Sequence, residues 1–117
     1  MTKEEKRKHS RIDSINLLNY VYLDENDDEQ NQGMGRTLNV SESGILLETH
    51  NPMDENHTVS LTIGFEEDVV DIKGKVIYTK EQLASMYESG IEFFDMDDAA
   101  RAILLRYITA FNAQSHD

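Results

Sequence analysis

The clearest alternation in the chain runs from His57 to Phe65, with Val59, Leu61, Ile63 and Phe65 on one face and Thr58, Ser60, Thr62 and Gly64 on the other. A period of two in side-chain direction predicts a strand with one buried face. After a Glu66-Glu67-Asp68 turn, Val70, Ile72 and Val76 alternate with Asp71, Lys73 and Lys75, which predicts a second strand with a bend or bulge at Gly74. Between Ser14 and Leu23, Ile15, Leu17, Val21 and Leu23 alternate with neighbours that include Leu18, Tyr20 and Tyr22, so this strand is expected to be covered on both faces. Met34 to Val40 and Ile45 to Thr49 are two further apolar segments joined by a short polar run, the pattern of a hairpin. Asn51-Pro52, with the chain's only proline, ends it.

The dense acidic stretch Asp24 to Gly33 is expected to be a solvated loop. It fails as a calcium loop, because counting from Asp24 puts Glu29 at the sixth position, where glycine is needed, and Gly35 at the twelfth, where glutamate is needed. Lys80 to Glu88 is expected to be a polar connection with one helical turn, packed through Leu83, Met86 and Tyr87, and Gly90 to Phe94 a last strand. The period then changes to that of a helix. Asp95 or Asp97 can cap it, and Ile103, Leu104, Tyr107, Ile108 and Phe111 share one stripe that is expected to pack on the sheet. Short strands with polar turns and little helix between them point to an antiparallel barrel or sandwich.

Composition narrows the setting. One domain fits 117 residues, and 38% hydrophobic with 29% charged residues is the balance of a globular protein. No apolar run approaches the ~20 residues of a membrane helix, the N-terminus has no secretory pattern, and there is no cysteine, so a cytoplasmic protein without disulfides or membrane insertion is expected. The net charge of -12 is uneven. Residues 1 to 11 hold Lys3, Lys6, Arg7, Lys8 and Arg11 against Glu4 and Glu5, a local +3 on a body of -15. Such a body repels nucleic acid polymers and anionic membranes, but the basic arm can still grip one small anion.

The chemistry on offer is that of binding. His9, His50, His57 and His116 show no metal spacing, no Gly-x-Ser-x-Gly elbow or phosphate loop is present, and the carboxylates gather in turns rather than in a catalytic pair. No catalytic residue, metal or cofactor is therefore assigned. The basic arm reads Arg7-Lys8-His9-Ser10-Arg11 and the hairpin connection reads Asn39-Val40-Ser41-Glu42-Ser43-Gly44. A guanidinium can fork onto phosphate oxygens, pair with the O6/N7 edge of guanine or stack on a base. Asn39 and Ser41, two apart, project from one face of an extended backbone, and Gly44 allows either a positive φ or a close approach to the main chain. A guanine nucleotide would satisfy both pieces.

Arg-x-x-x-Arg followed by Asp/Asn-x-Ser-x-x-Gly resembles the paired signature of PilZ domains, with every signature position present in Arg7, Arg11, Asn39, Ser41 and Gly44. Ser89-Gly90-Ile91-Glu92-Phe93-Phe94 is similar to the family's last barrel strand, and the segment after it to its C-terminal helix. The resemblance implies an all-β dominated fold, a small six-stranded antiparallel barrel with a C-terminal helix. It divides the chain into a flexible basic arm at 1–12, a barrel at 13–94 and a helix at 95–113. It also implies a non-catalytic receptor for the bacterial second messenger cyclic dimeric GMP. Arg7 and Arg11 would contact phosphate and guanine, Asn39 and Ser41 the guanine, ribose or phosphate groups, and Gly44 would keep the hairpin open. Lys8, His9 and Ser10 are secondary candidates inside the arm. The arm is expected to fold over bound ligand and so change the surface offered to a downstream protein effector. The alternative is a barrel of the same kind that works as a nucleotide-independent interaction adaptor. Effector, cellular output, ligand stoichiometry and oligomeric state stay open.

Overall fold

The computed structural model describes residues 16–114 apart from Glu25 and Asp27. Among the described residues six strands, β1 (Leu17–Leu23), β2 (Glu29–Val40), β3 (Gly44–Thr49), β4 (Thr58–Phe65), β5 (Asp68–Glu81) and β6 (Tyr87–Phe94), precede the α-helix α1 (Asp98–Gln114). The strands close into a barrel in the order β1-β2-β3-β6-β5-β4, and every neighbouring pair is antiparallel. Closure removes the free sheet edges that would otherwise invite pairing with another chain.

The interior is filled as alternation requires. Val59, Leu61 and Ile63 of β4 are buried, as are Ile72 and Val76 of β5, Ile45 and Leu47 of β3 and Ile91 of β6. On β1 the inward set is Leu18, Tyr20 and Tyr22, whereas Leu17 stays exposed, so one face of this strand is covered rather than two. Each such fully buried aliphatic side chain contributes about 1.5–3 kcal/mol relative to exposure. The Tyr22 hydroxyl, at the end of that row, accepts the Asp54 N–H at 2.7 Å and lies 2.9 Å from His57 Nδ1, so a phenol at the barrel rim has its polar end satisfied.

Helix α1 is started by Asp97, whose Oδ1 accepts the Ala100 N–H at 2.8 Å, and Asp98 adds negative charge in the first turn. Ala100, Leu104, Tyr107 and Phe111 are its buried stripe, with Ile103 and Ile108 half-buried beside it. It packs across β4 and β5 and reaches β2, where the Tyr107 and Thr37 hydroxyls meet at 2.8 Å in the interior. Farther along, Arg106 bridges to Asp68 and Glu66 and lies over the Phe65 ring, fixing the helix to the β4–β5 turn.

Further expectations are corrected by the structure. The acidic loop read over Asp24 to Gly33 is short: β2 begins at Glu29, and Asn31, Gln32 and Gly33 pair with Tyr22, Val21 and Tyr20. Asp24 organises the turn by accepting the N–H groups of Asn26 and Asp28 on Oδ1 and the Gln30 amide on Oδ2, and the Asp28 N–H first of all holds its carboxyl below the usual range. Gly74 lies in unbroken pairing with Val59 and Phe93, and what it provides is space, since a Cβ there would sit 2.3 Å from Ile91 Cγ2. The bulge of β5 falls at Ile77 instead. The connection after β5 is shorter than expected, because β5 runs to Glu81 and β6 starts at Tyr87, and Leu83 is 90% exposed rather than packed.

Candidate functional site

The hairpin carrying the Asn-x-Ser-x-x-Gly run is built by its own short-range bonds. Ser41 N–H donates to the Gly44 carbonyl at 2.8 Å and closes the turn, while Ser41 Oγ accepts the Ser43 N–H at 3.3 Å. Asn39 Oδ1 accepts the Val40 N–H at 3.0 Å, which holds the side chain against its own strand. Just before it, β2 bulges: Thr37 pairs with Leu47 and Asn39 with Leu46, so Leu38 is the extra residue. The bulge keeps Thr37 and Val40 inside while Asn39 projects outward next to Ser41. The two residues expected to share a face do share the exposed one.

Gly44 serves close approach and not a left-handed turn, for no glycine of the described chain has positive φ. Its Cα pairs with Glu92 of β6, and a Cβ built on it would lie 2.5 Å from the Ile91 carbonyl oxygen. Ser43 O accepts the Phe93 N–H at 2.9 Å on the same side. Gly44 thus lets β3 and β6 close tightly at the hairpin base.

From this hairpin a concave surface extends across the outside of β3, β6 and β5. It has a volume of about 520 Å³ and is lined by Asn39, Ser41, Ser43, Gly44 and Glu92 at the hairpin end and by Ile77, Tyr78 and Gly90 farther along. A second bulge shapes the far wall. Because Val76 pairs with Ile91 and Tyr78 with Gly90, Ile77 is the extra residue, and Ile77 and Tyr78 both face outward, 48% and 38% exposed. The Tyr78 ring lies across Gly90, where a Cβ would meet Tyr78 Cε2 at 2.4 Å, and its hydroxyl donates to Glu88 Oε2 at 3.3 Å. Burial and then the Glu88 carboxylate push the Tyr78 phenol up, so the ring is a neutral apolar wall at ordinary pH.

The expected site residues fall into two groups. Asn39, Ser41 and Gly44 are together on this surface. Arg7, Lys8, His9, Ser10 and Arg11 lie outside the described residues. Among the described residues that line the surface none is a cation, and Glu92 is the one charged side chain. Ile77, Tyr78, Gly90 and Glu92 were absent from the sequence-based site because β5–β6 pairing, not spacing along the chain, brings them to the hairpin. One signal was present: Val76-Ile77-Tyr78 breaks the alternation of β5 with two consecutive large outward residues.

A closed six-stranded barrel with a polar hairpin beside an open groove on its outer wall defines a small β-barrel domain. The chain belongs to the PilZ domain family, whose model matches residues 5–110 and so spans both the Arg7–Arg11 segment and the hairpin. No curated protein sequence matches it significantly. Among solved structures it is similar to the PilZ domain with c-di-GMP of YcgR from Escherichia coli, with a TM-score of 0.63 at 12% identity, over 85% of this chain and 84% of that one. It is also similar to MrkH of K. pneumonia in its apo state, with a TM-score of 0.62 at 14% identity, over 84% of this chain and 46% of that one. A tetrameric PilZ domain protein from Xanthomonas campestris matches with a TM-score of 0.52 at 11% identity, over 97% of this chain and 61% of that one. At these identities the likeness is one of fold, and it bears out the six-stranded barrel with a C-terminal helix.

Proposed function

We propose that the chain is a non-catalytic receptor that binds cyclic dimeric GMP on the outer wall of β3, β6 and β5. Asn39, Ser41 and Gly44 form the hairpin side of the site, and Arg7 and Arg11, helped by Lys8, His9 and Ser10, supply the cations. The observation that carries this reading is the coincidence of the motif with the groove: the surface of about 520 Å³ starts at Asn39, Ser41 and Gly44. That volume suits a small organic ligand. The ligand carries two phosphodiester charges, and the described lining has no cation to neutralise them, so the arm's arginines supply what the wall lacks. The family match that includes residues 5 to 11 supports their part in it.

Signal output follows from the same arrangement. Ligand and arm together would cover apolar Ile77 and Tyr78 and present a new surface to a protein partner, without a reaction and without a metal. A cytoplasmic setting suits a receptor for a diffusible nucleotide. The test is amide chemical-shift mapping of the isotopically labelled full chain on addition of cyclic dimeric GMP. Saturable shifts are expected at Asn39 to Gly44, Tyr78 and Gly90 to Glu92, with Leu61 and Ile63 in the interior little changed. Absence of shifts at millimolar ligand would overturn the receptor reading and leave the nucleotide-independent adaptor.

A further inference from the structure

Glu92 stands where a dianionic ligand should make it unwelcome. It projects outward from β6, pairs in register with Gly44 on one side and Lys75 on the other, and lines the same groove as Asn39 and Ser41. Its carboxylate enters no salt bridge or hydrogen bond among the described residues, although Lys75 is its cross-strand neighbour. Facing phosphate, it would only repel. Guanine, however, has two edges of opposite character. O6 and N7 accept hydrogen bonds, while N1–H and the N2 amino group donate two nearly parallel ones that match the two oxygens of a carboxylate. The Tyr78 ring over Gly90 stands two residues along β6 from Glu92, about 7 Å by strand rise, so an apolar face for a base and an acceptor for its edge lie within one purine's reach.

We infer that Glu92 is the guanine-selecting residue of the groove, accepting N1–H and N2–H from one base packed against Tyr78. This rests on the receptor reading above. It gives the single acidic residue of the lining a function that repulsion of phosphate does not.

The test measures affinities of the full chain and of Glu92→Ala and Glu92→Gln for cyclic dimeric GMP and for cyclic dimeric IMP, which lacks the N2 amino group, with circular dichroism to verify folding. Wild type should prefer the guanine ligand about ten-fold, and both variants should bind it about ten-fold more weakly and lose most of the preference. The glutamine variant keeps the size but sets an amide N–H against a base N–H, so it should not rescue. Tighter binding of cyclic dimeric GMP by Glu92→Ala would show that the carboxylate faces phosphate and would overturn the inference. So would weakening with the ten-fold preference intact, the pattern expected if Glu92 held the arm instead. Wild type that binds neither ligand would sink the receptor reading, and the role of Glu92 with it.

Discussion

The Thr37 and Tyr107 hydroxyls meet at 2.8 Å with both side chains buried, which ties α1 to β2 two residues before Asn39. The contact sits beside the Leu38 bulge that turns Asn39 outward, so the helix braces the strand whose geometry makes the hairpin face. Tyr107→Phe removes that partner from a buried threonine and should cost about 1–3 kcal/mol in urea unfolding at neutral pH. Burial pushes the Tyr107 phenol above its ordinary value, and the Thr37 bond only partly offsets this. A raised folded-state pKa means its contribution is fully present below the ordinary tyrosine value of about 10 and is lost as pH rises through the folded value. Tyr22 and Tyr78 shift in the same direction. The wild type should therefore lose stability steadily above pH 10, and Tyr107→Phe should do so less steeply. Parallel slopes would contradict this account of the contact.

Gly44 and Gly90 make different demands, although both line the groove. The atom in the way of a Cβ at Gly44 is the Ile91 carbonyl oxygen, part of the paired β6 backbone, whereas at Gly90 it is the ring of Tyr78, which can swing aside. Gly44→Ala should cost about 1–3 kcal/mol, with a corresponding fall of several degrees in Tm. Gly90→Ala should leave Tm nearly unchanged but move the Tyr78 ring, seen as altered tyrosine proton shifts. Equal thermal losses in the two variants would refute the distinction.

Asp97→Ala should destabilise the protein by about 1 kcal/mol, because the Asp97 carboxylate caps the Ala100 N–H at 2.8 Å at the start of α1. Asp97→Ser or Asp97→Asn should recover most of the loss, and Asp95→Gly, which tolerates the left-handed backbone there (φ 54°), should have little effect. Chemical denaturation of the four variants separates the two candidate caps that the sequence offers.

Much of the barrel is legible in the sequence because burial imposes a period of two. Val59, Leu61 and Ile63, together with Ile72 and Val76, announce their inward faces directly, and the turn at Ser41 to Gly44 announces the hairpin. What alternation fails to reveal is where a strand is exposed on both faces or counts out of step. The first five residues of β2, Glu29 to Gly33, are polar and solvent-facing, so they read as loop although β1 pairs with them. The bulges at Leu38 and Ile77 are set by how neighbouring strands fit together, and they decide which way Asn39 and Tyr78 point. The hairpin half of the site follows from local spacing. Its β5–β6 half follows from pairing between residues ten or more positions apart, which no local pattern encodes.

Titration calorimetry of the full chain with cyclic dimeric GMP, alongside GTP and cyclic GMP and with Arg7→Ala and Ser41→Ala as site variants, tests the central claim most directly. The account predicts saturable binding of cyclic dimeric GMP at micromolar concentration or tighter, at least ten-fold preferred over both mononucleotides, abolished in Arg7→Ala and weakened in Ser41→Ala, with every variant as folded as the wild type. Absence of heat at several temperatures together with no ligand-induced rise in Tm, or equal binding by wild type and Arg7→Ala, would contradict it.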